Sequence, residues 1–151
     1  MMSKSFVFKI LVVFILFFPF ETVFAAESFR ILVSNDDGID SEGILVLVRE
    51  LEKIAEVTVV APLENQSGAG HSITIKGPLV VKEIKREGRF FGYGVDCTPA
   101  TCIKLGVEEL MEKKPDLVVS GINEGLNLGS VTWVSGTVGA AREAVLKGIP
   151  G

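Results

Sequence analysis

The sequence predicts an α/β protein built on a mainly parallel sheet, and three observations carry that expectation. Short, largely β-branched runs recur along the chain at Ile31-Leu32-Val33-Ser34, at Val57 to Ala61 and at Asp116 to Ser120, each of a length suited to a buried strand. Segments with apolar residues at helical spacing alternate with these runs, the pattern of strands joined by covering helices. Each core run also leads into a polar, glycine-bearing loop: Asn35 to Gly38, Asn65 to Gly70, and Gly121 to Asn127. Open parallel sheets bind ligands outside the carboxyl ends of their strands, so the three loops are expected on one functional edge.

The elements follow in chain order. Lys4 and Lys9 precede the apolar run Ile10 to Phe20, and Val23-Phe24-Ala25 offers suitable residues for a cleavage site. The run falls short of the roughly 20 residues of a spanning helix. Residues 1–25 therefore read as a signal peptide, with an uncleaved anchor as the alternative, and the rest (26–151) as one exported domain, periplasmic or secreted. After the first strand, Ile44, Leu47, Val48, Leu51 and Ile54 mark a helix over 44–54 with Ser41 as its cap. The strand Val57 to Ala61 ends at Pro62. Ser72 to Lys76 and Leu79 to Lys85 alternate about Gly77-Pro78 and predict a protruding β-hairpin. Phe90 to Val95 predicts a further strand. A helix over Pro99 to Lys113 would start with Thr98 as N-cap and Pro99 at its first position. The last helix, Gly136 to Lys147, is stopped by Gly148 and Pro150.

Cys97 and Cys102 then occupy the two positions of a hydrophobic staple, one before the cap and one in the first turn. Staple and disulfide both remain open. Formal charge is −4 and the pI about 5.1. Without a basic surface, extended nucleic acid is excluded as a partner, whereas a small phosphate ester is not. Beyond the leader nothing indicates a membrane.

The chemistry concentrates in the three loops. Asp36 and Asp37 are adjacent carboxylates at a strand tip, which either face water as turn residues or require a cation to offset their repulsion. With the hydroxyl of Ser67 and the amide oxygen of Asn123 they form an oxygen-rich set suited to magnesium or manganese more than to zinc. Ser135-Gly136-Thr137 opens the last helix, either as a receptor for phosphate oxygens or as an ordinary cap with close helix packing. His71, the single histidine, fits protonation of a leaving alkoxide or a phosphate contact, or a loop position without chemistry. Trp133 beside the phosphate loop suits base stacking or an apolar lid.

Taken together, ILVSNDDGIDSEGI, VTVVAPLENQSGAGHSIT, VDCTPATCIKLG, DLVVSGINEGLNLG and SGTVGAAREAVLKGIP resemble the SurE family of metal-dependent 5′-nucleotidases. The resemblance implies a Rossmann-like sheet with flanking helices, C-terminally truncated here, and hydrolysis of nucleoside 5′-monophosphates in the manner of an acid phosphatase. It implies one divalent cation, magnesium or manganese, held by Asp36, Asp37, Ser67 and Asn123, with Asp36 and Asp37 as the catalytic carboxylates, either of which accepts the proton of the attacking water. Asn35 and Ser135 to Thr137 would line the phosphate site. The family is usually cytoplasmic and forms homo-oligomers through an arm that this chain would lack. Ser130 to Val134 departs from the family's acidic and aromatic pattern. The competing expectation is a non-catalytic nucleotide-binding or unstable fragment of such an enzyme.

Overall fold

The computed structural model describes residues 27–151. The expected leader lies outside the described residues. Five strands form one sheet in the order β3-β4-β2-β1-β5: β1 (Arg30–Ser34), β2 (Glu56–Pro62), β3 (Val81–Arg86), β4 (Arg89–Val95) and β5 (Leu117–Ser120). β1 pairs in parallel with both β2 and β5, and β2 pairs in parallel with β4. Only β3 runs antiparallel to its neighbour. Three helices cover the sheet: α1 (Glu42–Leu51), α2 (Pro99–Leu105) and α3 (Gly136–Leu146).

Alternation along β1 explains the two layers. Ile31 and Val33 face one side, where they pack with Val59, Ala61 and the α1 residues Ile44 and Val48. Leu32 faces the other, meeting Val60, Val118, Ile103 of α2, and Ala140 and Ala144 of α3. The small α3 residues let that helix lie close to the sheet. A Cβ on Gly106 would meet the Leu32 side chain at 3.0 Å, so the chain passes close to the sheet where it leaves α2. There the chain widens into a π turn, Gly106–Leu110, closed by the Met111 N–H donating to the Gly106 carbonyl at 3.0 Å. The α-helix expected as far as Lys113 therefore stops at Leu105.

The hairpin also differs from expectation. Ser72 to Lys76 forms no strand. Instead the Thr74 N–H donates to Thr101 Oγ1 (2.8 Å), the Thr98 N–H to Thr74 Oγ1 (3.1 Å), and Thr98 Oγ1 to the Ser72 carbonyl (2.6 Å). These side-chain bonds tie the segment to the start of α2 and replace a strand ladder. The hairpin is β3–β4, reversed at Glu87-Gly88, whose φ angles of +50° and +77° match the turn that suits a two-residue loop. Thr98 and Ser41 do sit at the N-cap positions of α2 and α1, but neither hydroxyl caps its helix.

Cys97 and Cys102 are buried free thiols with their sulfurs 3.3 Å apart, in the staple arrangement. Burial, then the hydrogen bond from Cys97, holds the Cys102 thiol well above its ordinary value.

Glu87 is a bulky residue in the left-handed region, at the position where the turn favours asparagine. Glu87→Asn is expected to raise stability by about 0.5–1 kcal/mol, measured as a higher urea midpoint at unchanged slope.

Candidate active site

The parallel sheet brings the three loops to one edge, as expected. Backbone bonds join them: the Gln66 N–H donates to the Asp36 carbonyl (2.7 Å), Ile39 to Pro62 (2.8 Å), Gly121 to Ser34 (2.9 Å) and Gly70 to Val134 (2.9 Å). They surround an open cavity of about 580 Å³ whose walls include Asp36, Asp37, Ser67, Asn123 and Ser135. That volume lies in the range of small-molecule sites.

Each acid has a distinct environment. Asp36 is buried, and Thr137 of α3 donates its hydroxyl to Asp36 Oδ1. The same hydroxyl oxygen lies 3.2 Å from Asn123 Oδ1. A hydroxyl has one proton to give, so with Asp36 served the Asn123 oxygen is left without a donor from Thr137. Asn123 is aimed by its own amide hydrogen, donated to the Gly125 carbonyl at 2.7 Å. Asp37 is half-buried and accepts the Glu124 N–H at 3.2 Å. Burial, with the neighbouring charges of Asp36 and Glu124, pushes the Asp37 carboxyl above its usual value, although the Glu124 N–H works against this.

Gly136 explains how α3 reaches the acids. A Cβ there would lie 2.7 Å from Asp36 Cβ and 2.9 Å from Asp36 Oδ2. Ser135 caps the helix, accepting the Val138 N–H at 3.1 Å, and lines the cavity. Gly136 and Thr137 lie behind it, buried against Asp36.

Ser67 is exposed at the cavity wall, its N–H held by Asn65 Oδ1 at 2.8 Å. Asn35, expected at the phosphate site, is fully buried instead. Its side-chain amide donates to the Gly38 carbonyl (2.9 Å) and Ser41 Oγ (2.7 Å), so it shapes the loop that presents the acids. His71 also lies outside the cavity lining, with Nε2 2.9 Å from Glu143 Oε2 on α3. Trp133 is exposed and lies under the Arg142 guanidinium, 5.4 Å from the ring centre. Glu124 is a third acid on the cavity wall, which no motif in the sequence marks. Its position one residue after Asn123 was the available signal.

The donor set fits a hard divalent cation. Two carboxylates, an amide oxygen and a hydroxyl line one open wall, donor types that suit a hard cation, while among the described residues no three His, Cys, Asp or Glu side chains group so as to hold a metal ion by themselves. Fold and site together define a class: α/β proteins that present hard oxygen donors beside a helix N-terminus, at the carboxyl edge of a parallel sheet.

Comparison with known proteins makes the class specific. The family model for survival protein SurE matches residues 31–151. A protein of Chlorobium limicola named 5′-nucleotidase SurE is 52% identical over 120 residues, covering 80% of this chain and 46% of that relative. A Thermosipho melanesiensis protein of the same name is 49% identical over 121 residues, covering 80% and 48%. The crystal structure of the SurE protein from Aquifex aeolicus superposes with a TM-score of 0.72 at 49% identity, over 80% of this chain and 48% of that one. The chain belongs to the SurE family. It spans slightly less than half the length of these relatives.

Two outcomes follow from this geometry. Gly136→Ala is expected to displace Asp36 and to weaken manganese binding, measured by titration of the free ion. Because the Asp37 pKa is raised on folding, the native state holds the proton more tightly than the unfolded chain. Stability therefore falls as pH rises from the unfolded value near 3.8 through the raised value. In chelator, Asp37→Asn should raise the urea midpoint at pH 7 and lose that advantage at pH 3.

Proposed function

We propose that this chain carries the active site of a metal-dependent phosphomonoesterase that hydrolyses nucleoside 5′-monophosphates. The observation that carries the reading is the shared wall of one cavity, where Asp36, Asp37, Ser67 and Asn123 stand beside Ser135 at the start of α3. The 5′-nucleotidase name of relatives about 50% identical supports the same reaction.

Asp36, Asp37, Ser67 and Asn123 would hold one magnesium or manganese ion. When bound, such an ion supplies charge neutralisation at the phosphoryl oxygens and lowers the pKa of water. The remaining chemistry belongs to the chain. Ser135 meets the substrate phosphate, with the dipole of α3 and its unpaired first-turn N–H groups behind it. Asp36 is fixed by Thr137 and by the approach of Gly136. Asp37 is more exposed than Asp36 and would accept the proton of the attacking water. Leu126, Val131 and Val134 give the cavity an apolar wall suited to the nucleoside. The leader read over residues 1–25 supports an exported form.

The test is phosphate release from nucleoside monophosphates by the purified chain in manganese, magnesium or chelator. Release is expected with a divalent cation and not in chelator, and Asp37→Asn should lower it by roughly 100-fold or more, the lower end for loss of a general base. Turnover unchanged in Asp37→Asn would overturn the assignment. A second reading, nucleotide binding without turnover, uses the same cavity and its apolar wall of Leu126, Val131 and Val134. A folded chain that binds nucleotide in manganese without releasing phosphate would establish it.

A further inference from the structure

The helix that supports the acids also touches the loop that carries Ser67. Gly136, Gly139, Ala140 and Glu143 fall at i, i+3, i+4 and i+7, on one face of α3. The first approaches Asp36. At the second, a Cβ would fall 2.0 Å from the Gly70 carbonyl oxygen, so the loop backbone rests directly on the helix. At the fourth, Glu143 is only 8% exposed and Oε2 takes the His71 ring N–H at 2.9 Å.

A buried carboxylate requires partners. Glu143 has His71 on one oxygen and Lys147 Nζ 3.6 Å from the other. Lys147 in turn bonds Glu108 at 2.6 Å, and Glu108 also binds Lys104 at 2.8 Å. The hydrogen bonds from Lys104 and Lys147 hold the Glu108 carboxyl down to about 2. Lys147 thus places a positive charge beside the Glu143 oxygen that faces away from His71.

The loop needs such support. Between Ser67 and His71 lie Gly68 and Gly70, both at positive φ, and glycine loses more conformational freedom on ordering than any other residue. The loop backbone is held at Gln66, which donates to the Asp36 carbonyl (2.7 Å), and at Gly70, which donates to Val134 (2.9 Å); Ser67 between them adds the Asx turn to Asn65, and the His71 bond is the side-chain tether beyond the two glycines.

We propose that the His71–Glu143 hydrogen bond is a positioning device: it clamps the Asn65–His71 loop onto α3, so that one helix sets the placement of Ser67 relative to Asp36. This rests on the metal site described above and assigns His71 a part in it without contact with substrate. The bond acts through Ser67.

The experiment compares the full chain with His71→Ala, His71→Gln and His71→Asn. Two quantities are read: manganese affinity, from the free ion by electron paramagnetic resonance, and hydrogen exchange over residues 65–71 in chelator. A glutamine amide reaches the position of the ring Nε2, whereas an asparagine amide falls short of Glu143. His71→Ala should weaken manganese binding roughly tenfold, the lower end for groups that orient a ligand, and should speed exchange in the loop. His71→Gln should restore both, and His71→Asn should not. Unchanged manganese affinity in His71→Ala, beside a wild-type chain that binds the ion, overturns the proposal. Should His71→Ala fail to fold, equal behaviour of the glutamine and asparagine variants overturns it. A wild-type chain that binds no manganese defeats the metal reading, and loop exchange then decides the clamp alone.

Discussion

Two adjacent carboxylates at the tip of a central strand are the constraint that the rest of the structure answers. Asp36 is buried, Asp37 is half-buried, and their mutual repulsion adds to the cost of removing both from water. The fold offsets part of that cost with donors: the Thr137 hydroxyl for Asp36 and the Glu124 N–H for Asp37. The remainder is seen in the raised Asp37 pKa. A site that costs stability when empty and gains it with a cation is the usual form of a functional carboxylate pair.

The need to serve Asp36 explains the composition of α3. A helix that donates a side-chain hydroxyl to a strand-tip carboxylate must approach closely, and Gly136, Gly139 and Ala140 allow this. The same small face receives the Gly70 carbonyl, so the second loop follows from the geometry that serves the first. β1 lies between β2 and β5, all three parallel, and their carboxyl ends therefore lead into loops on the same edge. The antiparallel β3–β4 hairpin occupies the far side of the sheet.

Much of this was legible in the sequence because it depends on local pattern. The core strands, the convergent loops, the helix starts after Ser41, Thr98 and Ser135 (only the last of which caps through its hydroxyl), and the adjacency of Cys97 and Cys102 all follow from short-range rules. The features that were not legible depend on partners distant in sequence. Ser72 to Lys76 alternates like a strand, yet its bonds go to Thr98 and Thr101. The α2 helix gives way to a π turn at Gly106, a residue packed against Leu32, far back in the chain. Asn35 and His71 have the chemistry of ligand contacts, but Gly38 and Ser41 engage the Asn35 amide and Glu143 engages Nε2 of His71. A residue's type indicates what it is able to bind; only the fold shows which group reaches it first.

The central claim is that oxygens from three separate loops enclose one hard divalent cation. Anomalous diffraction from crystals of this chain soaked in manganese tests it most directly. The account predicts a single strong peak between Asp36, Asp37 and Asn123, with Ser67 beside it. An ordered site with no peak at those side chains, or a peak elsewhere alone, would contradict it.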